Sequence, residues 1–419
     1  MAKEFDLGTV RGASGPQGPA GPQGAAGPQG PVGPLPHITV GEVLTLPPES
    51  AATVTRRENS PDEAPILDFG IPRGSGGGGD MPRTVYDPQN LQQDIFAYAA
   101  SLAGRRAATL VLAAANSRDS SRADFVCDGV SDQLTIKQAL AALPDSGGSL
   151  LLLEGDYWLD TAGVSEVNGV LRLIEIDKPN VRLCGAGPAT RLRLSADAVT
   201  ADAACRLLYI SAANCSLQAL TLDGGSSGPD NLYAVWLGAD ADGARITSTT
   251  LRNCSAGGLY ALSDDVLLHG CDLLYCGCGA VLTGNDCRLL ANAASYCTTG
   301  LLIEGGRCEA CANRVLHATS CGIHFSYAVG GALLGNTVID QPVGIRIQYA
   351  QNLLVLGNTV RRSTASSSFS ADEHTVSLED ANDCTVLFNR LEGKAAQESG
   401  YCFGNLLALS GTDWNITAG

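Results

Sequence analysis

Short bursts of alternating apolar and polar residues fill the C-terminal half of the chain, and they restart on a fixed beat. Gly258, Gly279, Gly300, Gly322 and Gly344 are separated by 21, 21, 22 and 22 residues, and each opens such a burst: GLYAL, GAVLT, GLLIE, GIHFS, GIRIQ. Asn292, Asn313, Asn336 and Asn358 form a second series, stepping by 21, 23 and 22. A period near 22 with strand alternation and no helical spacing predicts a solenoid of short β-strands whose coils stack on one another. The glycines and asparagines are expected where each coil turns. Cysteine keeps the same beat: Cys254, Cys276, Cys297 and Cys321 step by 22, 21 and 24. Because cysteine behaves as a small, soft hydrophobe, these thiols are expected to stack, reduced, in an interior corner.

Different patterns precede the solenoid. Alternation over Ile38–Val43, Ala52–Arg56 and Pro65–Ile71 predicts three strands, too few to bury much core alone. SGGGGD at 75–80 reads as a linker, and Asp87-Pro88 starts a helix carrying Leu91, Ile95, Tyr98 and Leu102 on one face. Asp128-Gly129-Val130-Ser131-Asp132 leads into an amphipathic helix (Ile136, Ala139, Leu140, Leu143) with Asp132 as its expected N-cap. This helix is expected to close the open end of the solenoid. At the other extreme, Gly12 to Gly33 fall on every third residue among Pro, Gln and Ala. Strict G-X-Y periodicity predicts a collagen triple helix, a rod of about 70 Å, and with it a homotrimer. The small β module is then best explained as a trimer clamp. The expected organisation is a tip (1–11), a collagen-like rod (12–35), the β module (36–74), linker and helix (75–118), and the solenoid with its cap (119–419).

Charge narrows the function classes. A net charge of −16 over 419 residues, with no cluster of Lys and Arg, argues against nucleic-acid and anionic-membrane partners. There is no apolar leader and no apolar run long enough to span a bilayer, so synthesis in a cytoplasm without a signal peptide is expected. Fifteen cysteines, an odd number, match no disulfide framework, and the isolated C-E-A-C of Cys308 and Cys311 has no partner pair at zinc-ligand spacing. No metal or cofactor is expected.

The DGVSD–helix–GGSLLLLEGDYW run at 128–158 resembles the start of right-handed parallel β-helix domains of the pectate-lyase-like superfamily, above all those of phage tailspikes and tail fibres. Gln133, Leu134 and Thr135 depart from that family's usual wording. The opening FDLGTVRG and the DFGIPRG of the β module resemble collagen-bearing phage and prophage tail proteins. The resemblance implies an all-β, trimeric particle component that contacts other tail or baseplate proteins and a host cell-surface glycan. A polysaccharide depolymerase, hydrolase or lyase, is the enzymatic alternative, and a bacterial collagen-like surface or spore protein is a third reading.

Stacking of coils assigns an outward strip. Two residues after each repeat glycine stand Tyr260, Val281, Leu302, His324 and Arg346; two further on stand Leu262, Thr283, Glu304, Ser326 and Gln348, then Tyr349. Glu304, His324, Arg346, Gln348 and Tyr349 suit sugar binding, and Glu304 is the one weak catalytic candidate. The apolar start of the strip suits a subunit contact instead. Asp372 and His374, in the Ser-rich insertion at 361–374, are further glycan-binding candidates.

Overall fold

The computed structural model describes residues 38–72 and 109–410, apart from 48, 63, 165, 197, 226–227, 362–373 and 393–396. The collagen-like repeat, the helix after Asp87 and Asp372 lie outside the described residues. Two compact units divide the chain near residue 95.

In the first unit, strands Thr39–Leu46, Thr53–Arg56 and Ile66–Pro72 form the three-stranded sheet that the alternation predicts. The first and third strands run parallel, and the second pairs antiparallel with the third. Val40, Val43, Leu44 and Val54 remain more than half exposed, because one thin sheet has nothing of its own to bury them against.

The second unit is a parallel β-helix. Each coil contributes two short strands to a continuous 22-stranded sheet and one longer strand to an 11-stranded sheet. Pairing joins coil to coil in parallel register, for example Leu268↔Leu289 and Leu289↔Ala310 on the short strands, with an irregularity between Leu387 and Arg390 near the C-terminal end. A single hydrophobic core runs inside the coils from Leu112 to Val386. At its start lies the helix Gln133–Ala142, whose Ile136, Ala139 and Leu140 are buried in that core as the pattern predicts. Asp132 occupies the N-cap position but does not cap. Its carboxylate accepts the N–H groups of Gly129 and Trp158, tying the helix start to the first coils.

The two periodic series have distinct causes. Asn292, Asn313, Asn336, Asn358 and Asn389 sit at a coil corner as expected, fully buried. Each side chain donates to a carbonyl of the preceding coil; from Asn313 onward each also accepts from the preceding asparagine, while Asn292 accepts from the N–H of Cys271. Asn313 Nδ2, for instance, lies 2.8 Å from Leu289 O and 3.0 Å from Asn336 Oδ1. The glycines are not at turns. They are the second residues of the longer strands, with ordinary φ. A Cβ on Gly300 would lie 2.5 Å from the carbonyl oxygen of Gly322 and 2.4 Å from Val315 Cγ1. Close approach of successive coils, rather than chain reversal, demands glycine there.

The thiol ladder also needs one correction. Cys254, Cys276 and Cys297 stack in one buried corner, but Cys321 instead shares register with Cys278 and Thr299 on the longer strands. The irregular step of 24 marks the break. Nor is the corner merely apolar: Cys276 and Cys297 place their sulfurs 3.8 and 3.6 Å from the Leu251 and Leu273 carbonyls of the preceding coil. Further along the corner, the side-chain amide of Gln341 makes the equivalent bond to Val315 O.

Candidate functional site

Outward side chains of the 11-stranded sheet form parallel rows. The pairing Tyr260↔Val281↔Leu302↔His324↔Arg346 is the row the spacing predicts, and Ser326↔Gln348 belongs to the next. Glu304 follows Ile303, which pairs with Phe325, so it stands beside Ser326. Four of the candidates, Glu304, His324, Arg346 and Gln348, therefore share one face, with Tyr349 at its trailing edge. His374 is not among them. It stands at the opposite, leading edge, where its carbonyl accepts the N–H of Gly344.

His324 and Arg346 are half-buried neighbours, and each has a buried nitrogen without a partner: His324 Nε2 and Arg346 Nε. Among the described residues no carboxylate lies within ion-pair distance of Arg346. Burial lowers the His324 pKa to about 4; repulsion by Arg346 adds to this, and a hydrogen bond with Gln348 opposes it. The imidazole is therefore neutral at physiological pH, beside a permanent cation. Tyr349 stacks on Tyr327 at 5.0 Å between ring centroids, and both rings are exposed.

The face extends beyond the predicted row. Tyr209↔Trp236↔Tyr260 continue it through the preceding coils. Trp236 and Tyr260 are stacked at 4.1 Å, Arg206 lies over Trp236, and Arg172 lies over Tyr209. These coils lack the repeat glycine and step by 27 and 24 residues, so the period hides them. Alternation in CRLLYI and LYAVWL is the signal that could have found them.

Carboxylates are placed unfavourably for acid–base catalysis here. Glu379 joins the strip, paired with Gln348, but Glu304 and Glu379 are three coils apart. At about 4.8 Å per coil that is roughly 14 Å, whereas a glycosidase pair needs about 5–9.5 Å. Another cluster lies on the second short strands, where Arg193 bridges Asp156 (3.5 Å) and Asp223 (3.8 Å). Burial opposes ionisation of Asp223, yet hydrogen bonds from Asn253, the Gly225 N–H and Arg252 outweigh it and lower its pKa. Asp156 is likewise held ionised, mainly by Arg191 against the cost of burial. Neither member is a poised acid. No group of three His, Cys, Asp or Glu side chains among the described residues is placed to hold a metal ion. No described helix is long and apolar enough to cross a membrane.

A family model described as "Right handed beta helix region" matches residues 233–402. The fold is a right-handed parallel β-helix. Among solved structures the chain is similar to the Dettilon tailspike protein, with a TM-score of 0.54 and 16% identity over 66% of this chain and 58% of that one. It is also similar to the pre-mature bacteriophage phi29 gene product 12, with a TM-score of 0.50 and 14% identity over 68% of this chain and 44% of that one. A mannuronan C-5 epimerase A-module from Azotobacter vinelandii gives a TM-score of 0.49 and 16% identity over 69% and 94%. The right-handed β-helix thus spans only about half the length of those first two proteins. No curated protein matches the sequence.

Proposed function

We propose that this chain is a trimeric, tail-fibre-like attachment protein of a phage or prophage particle, and that its β-helix presents a glycan-binding face to the host surface. The observation carrying the binding face is Arg346. It is an arginine without a carboxylate partner among the described residues, beside neutral His324 and Gln348, and flanked by the exposed Tyr327–Tyr349 stack. Arginine, amide and imidazole groups can bridge sugar hydroxyls or a sugar carboxylate while a tyrosine ring covers a C–H face. The aromatic start of the same sheet, Trp236 to Leu302, is read as a subunit contact, and the collagen-like repeat together with the small β module as the means of bringing three chains into register. Asp372 and His374 are read as peripheral contributors from the insertion, and other tail or baseplate proteins as the partners of the N-terminal end. The wide carboxylate spacing favours attachment over depolymerisation.

Arg346→Ala should weaken binding to host cells or their purified surface glycans about tenfold or more without lowering the melting temperature. Glu304→Gln should leave binding intact and, if wild type releases new reducing ends or unsaturated uronates, abolish that release. Unchanged adhesion in Arg346→Ala would place the binding face elsewhere.

A further inference from the structure

A separate row of side chains, exposed at its three central rungs, runs along the corner that leads into the longer strands. Asn253, Tyr275, Tyr296, His317 and Asp340 are its successive rungs, and each N–H donates to the next coil, as from Tyr275 to Ser295 O and from Tyr296 to Leu316 O. Every rung has a left-handed backbone, with φ between 50° and 62°. Asn and Asp tolerate that conformation because their short side chains bond locally; tyrosine does not, and the cost is real for a bulky residue. Burial does not offset it, since Tyr275 and Tyr296 are 58% and 51% exposed. Their rings stack at 5.1 Å with 7° between planes, and Tyr296 stacks on His317 at 5.1 Å. Stacking recovers part of the cost but leaves the ring edges and tyrosine hydroxyls facing water, while His317 Nδ1 lies 3.7 Å from Asp340 Oδ2. Fold stability alone gives no reason for aromatic residues at these three rungs.

We propose that the Tyr275–Tyr296–His317 ladder is a second binding platform, for a neutral, hydroxyl-rich glycan chain lying along the solenoid axis. Tyrosine hydroxyls and the imidazole recur once per coil as hydrogen-bonding groups. The preceding residues Leu274 and Leu316, half-buried beside the ladder, supply apolar surface for sugar C–H faces. Tyr275, Tyr296 and the residues preceding them carry no carboxylate, lysine or arginine, and the Asp340 carboxylate lies 3.7 Å from His317 Nδ1 at the end of the stack, so a neutral chain is favoured over an anionic one. This platform is independent of the Arg346 face.

The test uses the full-length protein in affinity electrophoresis through gels containing dextran or galactomannan. Tyr296→Asn, which installs the residue type of the Asn253 rung, should lower apparent affinity about tenfold and leave the melting temperature unchanged or raised. Tyr275→Asn, at the end of the stack, should act in the same direction and serves if the first variant folds poorly. Arg346→Ala should migrate as wild type in these gels, so failure of the two binding surfaces can be told apart. Equal retardation of wild type and both tyrosine variants would overturn the proposal. So would absence of retardation of wild type in both gels, or a fall in melting temperature with retardation unchanged, which would make the ladder a structural stack.

Discussion

Single side chains here do work that residue type alone does not announce. Asn336 donates to Ala310 O and Asn358 Oδ1 and accepts from the N–H of Asn313, all while fully buried. Asn336→Ala strands those groups without solvent, so it should destabilise the β-helix by roughly 2–4 kcal/mol in a denaturant titration. A loss within error of zero would mean the ladder is redundant. His324 gives a pH signature. Its folded pKa of about 4 lies below the ordinary 6.5, so between those values the unfolded chain binds more protons. Stability should be full above about pH 6.5 and fall by about 1–3 kcal/mol as pH drops toward 4. Melts of wild type and His324→Gln at pH 7 and 4.5 isolate this term; parallel pH dependence of the two would refute it.

At the level of the element, the repeat glycines set how closely coils can stack. Gly258, Gly279, Gly300 and Gly322 each face the carbonyl oxygen of the next glycine at 2.3–2.6 Å from where a Cβ would sit. Backbone is on the receiving side, so the clash cannot be relieved by turning a side chain. Gly300→Ala should cost about 1–3 kcal/mol and lower the melting temperature. Alanine at Gly335, where no atom lies within 4 Å but φ is +62°, isolates the conformational penalty alone and should cost about 1 kcal/mol. Equal losses at the two sites would show that coil approach is not limiting.

For the whole molecule, the expectation is association. Three chains of 43.1 kDa should sediment together with a high frictional ratio. The exposed Val40, Val43 and Val54 of the small β module and the Trp236–Tyr260 row are the surfaces read as holding the chains together. Tyr260→Asp should shift the population toward monomer, because a charge entering an apolar contact loses its hydration. A compact monomer in wild type would remove the basis for both surfaces.

The period of 21–22 residues determined the solenoid, and alternation within each burst determined which side chains face out, because coils in register place equivalent positions one above another. The helix at Gln133–Ala142 and the three strands of the small module were equally legible from local spacing. What the repeat could not say was why its residues repeat. Glycine spacing looks the same whether a turn or a close backbone approach requires it, and only the packed coils distinguish Gly300 from Gly335. Cys321 kept a near-regular spacing yet belongs to a different corner, since one or two extra residues move a side chain from a corner to a strand. Tyr275, Tyr296 and His317, each 21 residues apart, follow the period itself, whereas the aromatic row through Trp236 emerges only when coils of unequal length are brought into register, because stacking depends on spatial pairing and not on sequence distance.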